Sequence, residues 1–133
     1  MKWGFLIGAA VIGLVAILSA AWAAEHTKDT PQDVKKAVAD GKAVLLDVRE
    51  KDEWDAGHLK GAVLLPLSAL KGGVKADELA RTVPNGKVVY CHCAAGRRSL
   101  EAADLLKPFG YDVRALKPGY RDLLKAGLEP APR

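Results

Sequence analysis

Charge and apolarity divide the chain in two. Trp3 to Ala24 carries no charged side chain, whereas from Glu25 onward apolar residues come in short blocks separated by Gly, Pro and charged positions. In the second part, Thr30-Pro31-Gln32-Asp33 supplies a capping residue, a proline suited to the first helical position and an acid in the first turn. Val34, Ala37 and Val38 follow at helical spacing. This pattern predicts a helix from Pro31 to Ala39 or Asp40, stopped at Gly41. The short apolar blocks at 43–48, 62–65 and 87–90 predict strands buried on both faces, and 112–116 a fourth. Helices are predicted over 76–82, 97–106 and 120–126, with one or two helical turns at 51–56. Strands alternating with helices imply an α/β fold, a parallel sheet flanked by helices on both faces.

The uncharged stretch has a different meaning. Lys2, the apolar run and Ala21-Trp22-Ala23 form the basic, apolar and small-x-small parts of a secretory signal. Cleavage after Ala23 is expected, which makes 1–23 a signal peptide, 24–29 a polar joint and 30–133 the domain. The run also approaches the about 20 residues that cross a bilayer, so an uncleaved membrane anchor over residues 3–24 is the alternative. Either way Lys2 keeps the start inside and puts the body outside the cytoplasmic membrane, a periplasmic location.

The length of 133 residues suits one domain, expected to be a monomer. Its net charge of +4 is dispersed among acidic neighbours and forms no basic stripe, which speaks against a nucleic-acid partner. Two cysteines are too few for a disulfide framework or a four-cysteine zinc site.

Those two cysteines carry the chemistry. Cys93 lies in a Gly-containing loop just past a predicted strand and just before a helix, where ligands of open α/β sheets bind. Backbone N–H groups, the positive end of the following helix and the charges of Arg97 and Arg98 favour a thiolate there, and would equally hold an anion. The plain alternative is a buried cysteine beside two solvated arginines.

At this point two motifs resemble a known family. Asp47-Val48-Arg49, Glu53-Trp54, Gly57-His58-Leu59, Gly61-Ala62 and Pro66 look like the opening motif of rhodanese domains. Cys93-Ala94-Ala95-Gly96-Arg97-Arg98-Ser99 looks like their active-site loop. With the leader, the chain is most similar to small single-domain sulfurtransferases of the bacterial periplasm. The resemblance implies that Cys93 attacks the outer sulfur of thiosulfate, becomes a persulfide and passes the sulfur to a thiophilic acceptor such as cyanide or a thiol. It implies Ala94, Ala95, Gly96, Arg97, Arg98 and Ser99 as substrate-binding residues, with partners limited to a small anionic donor and the acceptor. No cofactor and no metal are expected. Either arginine could face the anion; Arg98 is favoured because family loops commonly place a basic residue before the Ser.

Only four residues separate Cys93 from Arg98, against five in cysteine phosphatases, and the shorter ring suits a single sulfur better than a tetrahedral oxyanion. Cys91 stands as a possible redox partner: a Cys91–Cys93 disulfide would be strained and easily reduced, and a redox-sensing or noncatalytic binding module is the rival function. The other expectation is a buried thiol at a strand end. Cys91-His92-Cys93 is a weak metal signal without a distant fourth ligand. Asp47, Arg49 and Glu53 are expected to form structural ion pairs, His58 to bond a loop backbone, and Trp54 to enter the core. His26 carries no argument. Pro118-Gly119 and Leu123 replace the family's Gly-Gly and Trp, a turn that survives through the dihedral freedom of Gly119.

Overall fold

The computed structural model describes residues 23–133, so the expected signal or anchor lies outside the described residues except at its last one or two positions. Four parallel strands form one sheet in the order β2-β1-β3-β4: β1 is Ala43–Asp47, β2 Val63–Leu64, β3 Val88–His92 and β4 Asp112–Ala115. The helices are α1 (Pro31–Ala39), α2 (Lys51–Ala56), α3 (Leu67–Lys71), α4 (Ala76–Thr82), α5 (Arg97–Leu106) and α6 (Tyr120–Lys125). The predicted α/β sandwich is therefore present, with every strand pair parallel.

Alternation along β1 and β3 sorts the core into two layers, because successive side chains of a strand leave on opposite faces. Leu46, Val89, Cys91 and Val113 pack with Leu70, Leu79, Ala102 and Leu106, placing α3, α4 and α5 on one face. Ala43, Leu45 and Tyr90 pack with Val34 and Leu123, placing α1 and α6 on the other. Helix α1 starts as predicted: Thr30 Oγ1 accepts from the Asp33 N–H at 3.2 Å, and Asp33 returns the contact to the Thr30 N–H at 2.8 Å.

Three elements differ from expectation. Helix α3 was not foreseen: it is only five residues long, follows Pro66, and buries just Leu67 and Leu70, too few for a helical period to stand out. Strand β3 runs through Cys91 and His92, beyond the apolar block that ends at residue 90, because the ladder with β1 pairs Leu46 with Cys91 and Asp47 with His92. Trp54 is not a core residue; α2 buries none of its side chains, and the indole lies half-buried, stacked on His58 at 3.6 Å. Residues 24–29, expected as a joint, lie against the domain. Ala24 is buried in the core, His26 bridges Ala115, and the Thr27 N–H donates to the Ala115 carbonyl at 2.8 Å, all along the free edge of β4.

Candidate active site

Cys93 leaves the carboxyl end of β3, and Gly96 caps α5 three residues later. The loop folds back on its own sulfur: the Gly96 N–H donates to Cys93 Sγ at 3.0 Å. Such a bond strengthens as the sulfur takes on negative charge, and the ten-residue α5 adds the positive end of its dipole at the same place. Cys93 is 1% exposed, so the thiol is the floor of the loop, while Ala94 and Ala95 form its exposed rim.

The loop is held from several sides. The Tyr120 N–H donates to the Cys93 carbonyl at 2.9 Å, tying the loop to the start of α6. Gly119 touches Ala94 so closely that a Cβ would stand 1.8 Å from the Ala94 oxygen. Its φ of −85° is open to any residue, so the absence of a side chain, and not the dihedral freedom expected, is what the site requires. Gly96 needs both: φ is +88°, and a Cβ would meet the Lys117 carbonyl at 2.6 Å.

Ser99 is fully buried, with Oγ 2.9 Å from the Gly96 carbonyl and 3.0 Å from that of Leu116. Its single proton serves one carbonyl at a time, and the hydroxyl braces the loop against the end of β4. Arg97 is exposed on the first turn of α5. Arg98 is half-buried, and its guanidinium grips Glu53 through two contacts of 2.5 and 2.9 Å. That hydrogen-bonded partner holds the Glu53 carboxyl below the usual carboxylate range. Glu53 was foreseen only as part of a structural pair with Asp47 and Arg49; the structure adds it to the site through Arg98.

Asp47 and Arg49 do form a buried pair, at 2.8 Å. Burial pushes the Asp47 carboxyl up, but His92 and Arg49 reverse this and hold it well below the usual range. Arg49 has the better geometry, with contacts of 2.8 to 3.1 Å; His92 Nε2 stands 3.5 Å away and Nδ1 has no partner among the described residues. Arg49 also donates to the Gly57 carbonyl and lies over the Tyr120 ring at 4.3 Å. Beside the loop, Ala94, Tyr120 and Arg121 line a cavity of about 440 Å³ together with Arg49, Glu53 and the Gly57 turn. His58 Nδ1 meets the Trp54 carbonyl at 3.0 Å, a backbone contact of the expected kind.

Cys91 and Cys93 are both free thiols. Cys91 is fully buried on the α5 face, where its thiol donates to the Ser99 carbonyl at 3.2 Å. Burial, with the Cys93 sulfur nearby, pushes the Cys91 thiol up to about 12. Alternation sends the neighbouring His92 to the opposite face, beside Asp47, so the two are separated by the sheet. Among the described residues no group of three His, Cys, Asp or Glu side chains could hold a metal ion.

A parallel α/β domain with a cysteine at the carboxyl end of a strand, its sulfur accepting the N–H of the residue that caps the next helix, defines the class. Residues 30–126 match the rhodanese-like domain, and the chain belongs to that family, which makes it homologous to sulfurtransferases. It is 36% identical over 93 residues to the probable adenylyltransferase/sulfurtransferase MoeZ of Mycobacterium tuberculosis, a match covering 69% of this chain and 23% of that protein. The chain thus spans about a quarter of that relative's length. The human thiosulfate:glutathione sulfurtransferase is 29% identical over 102 residues, covering 70% of this chain and 89% of the relative. Among solved structures, the human single-domain sulfurtransferase TSTD1 superposes with a TM-score of 0.61 at 28% identity, over 73% of this chain and 97% of that one.

Sequence reasoning missed His26. Its Nε2 lies 2.7 Å from the Gly96 carbonyl, across 70 residues of sequence, and nothing local to Glu25-His26-Thr27 signals the contact.

Proposed function

We propose that this protein is a thiosulfate-type sulfurtransferase working through a Cys93 persulfide. The observation that carries the proposal is the Gly96 N–H on Cys93 Sγ at 3.0 Å, at the head of α5. The Cys93 thiolate attacks the outer sulfur of thiosulfate; a new S–S bond forms, the old one breaks, and its electron pair leaves with sulfite. A thiolate or cyanide then attacks the outer sulfur of the persulfide, and the electron pair of the broken bond restores the Cys93 thiolate. No proton has to move in either step, which fits a loop whose contact to the sulfur is a backbone N–H. Arg121 on the rim cavity and the exposed Arg97 supply positive charge for an anionic donor or acceptor. The relative named as a thiosulfate:glutathione sulfurtransferase supports a small thiol as acceptor.

We further propose export. Lys2, the uncharged run and Ala21-Trp22-Ala23 support it, and N-terminal sequencing of protein recovered from outside the cytoplasmic membrane should begin at Ala24. No helix among the described residues is long and apolar enough to cross a membrane.

The test of the chemistry is the intact mass of the reduced protein after thiosulfate, with sulfite assayed in parallel. One added sulfur and one sulfite per chain, lost in Cys93→Ser and kept in Cys91→Ser, is the expected result. No mass gain, or a mass gain in Cys93→Ser, overturns the proposal. Two thiols that appear only after reduction would instead indicate a Cys91–Cys93 redox pair.

A further inference from the structure

We infer that His26 is a positioning residue for the Cys93 loop: from the segment that precedes the first helix it donates to the Gly96 carbonyl and fixes the peptide that closes the ring around the sulfur. This rests on Cys93 being the reactive thiol. A carbonyl can only accept, so Nε2 must carry the proton in this 2.7 Å contact, whether the ring is neutral or charged. The Gly96–Arg97 peptide is planar and trans, so a carbonyl fixed on His26 and Ser99 also fixes the direction of the Arg97 N–H, opposite to that carbonyl. Gly96 is thereby held at both ends, its N–H on Cys93 Sγ and its carbonyl on His26.

His26 does not depend on the loop for its own position. Upstream, the Ala24 N–H donates to Asp104 at 2.7 Å and Ala24 is buried in the core. Downstream, Asp29 accepts from the Tyr90 hydroxyl at 2.6 Å and from Arg114 at 2.7 Å. A bridge to Ala115 lies between them. The imidazole is therefore presented from a separately anchored segment, the arrangement by which a donor can hold a loop whose rim must stay open to substrate. The ring is half-buried, belongs to neither core layer and, among the described residues, pairs with no carboxylate, so the Gly96 carbonyl is the contact it is placed for.

The experiment compares His26→Phe, which keeps a ring and loses the donor, with His26→Gln, which keeps an N–H of similar reach. Cys93 alkylation by iodoacetamide is followed from pH 5 to 9 by peptide mass, alongside sulfur loading from thiosulfate and thermal melts. Loss of one hydrogen bond predicts that His26→Phe slows alkylation near neutral pH about three- to tenfold, moves the rate curve to higher pH and slows loading by a similar factor. His26→Gln should stay within about twofold of the parent for the same reason. A Phe variant whose curve and loading match the parent overturns the inference, whatever its melt; so does a Gln variant as impaired as Phe. If the Phe variant does not fold, His26→Asn, whose shorter amide falls short of the carbonyl, replaces it against Gln. A parent protein in which Cys93 reacts no faster than Cys91 defeats the Cys93 assignment itself, separately from the role of His26.

Discussion

Gly119→Ala should damage the site through space alone. The added Cβ would stand 1.8 Å from the Ala94 oxygen, 2.3 Å from its carbonyl carbon and 3.0 Å from the Ala95 nitrogen. Nonbonded carbon and oxygen need about 3.2 Å, so the loop and the start of α6 must separate by roughly 1.4 Å. Both partners are backbone, and the Tyr120 N–H bond to the Cys93 carbonyl, at 2.9 Å, lies across the same gap. Displacement by about 1 Å at a reacting centre can cost on the order of a hundredfold in rate, and overpacking of this kind costs about 1–3 kcal/mol of stability. The rate of sulfur loading and a urea melt read the two effects. Gly110→Ala is the control: its φ is +86° with nothing within 4 Å of the added atom, so it should cost about 1 kcal/mol of backbone strain and leave loading unchanged. A Gly119→Ala protein that loads sulfur within about twofold of the parent would refute the steric argument.

Two further outcomes follow from the buried groups. Because the Cys91 thiol is pushed up to about 12 and lies under Ser99, iodoacetamide at pH 8 should label one cysteine per native chain and two after unfolding; two labels at equal rates on the native protein would contradict its burial. Asp47 is fully buried with its carboxyl held low, so the stability it contributes is complete above the unfolded carboxylate value near about 4 and drains away as pH falls toward its lower folded value. Asp47→Asn leaves Arg49 buried without its counter-charge, which should cost about 3 kcal/mol or more at pH 7 in a urea melt and flatten the acid limb; an unchanged acid limb would refute the assignment.

What could be read from sequence is what lies close together along it. The strand–loop–helix around Cys93 occupies 88–106 without interruption, and the run of small residues, arginines and serine after the thiol carries its own chemistry. Helices on both faces of the sheet were legible for the same reason, since the apolar blocks of β1 and β3 are continuous and local, although which residue faces which layer was not. What sequence could not disclose are contacts made across the fold: Glu53 on Arg98, 45 residues apart, His26 on Gly96, 70 apart, and Gly119 against Ala94. Each involves a residue whose type is ordinary in its own neighbourhood. The end of β3 was misplaced because pairing with β1, and not local propensity, carries the strand through His92.

The supports converge on one requirement. Tyr120, Gly119, Ser99, Glu53 through Arg98, and His26 reach the loop from four different elements, and none of them presents a group to the sulfur itself. Cys93 is 1% exposed, so a donor has to enter the loop to reach it; on the proposed reaction the outer sulfur of thiosulfate does so at the end of an S–S bond of about 2 Å, with its sulfonate nearer the rim. A tetrahedral oxyanion would have to bring its central atom to the same depth, with three oxygens around it. The loop would then have to widen against supports anchored in α2, α5, α6 and the β4 edge together. On the proposed reaction, then, the bracing that holds the Gly96 N–H on the sulfur also resists the widening that a tetrahedral oxyanion requires. Loosening any one brace should slow sulfur transfer without creating phosphatase activity, since the remaining braces still close the ring.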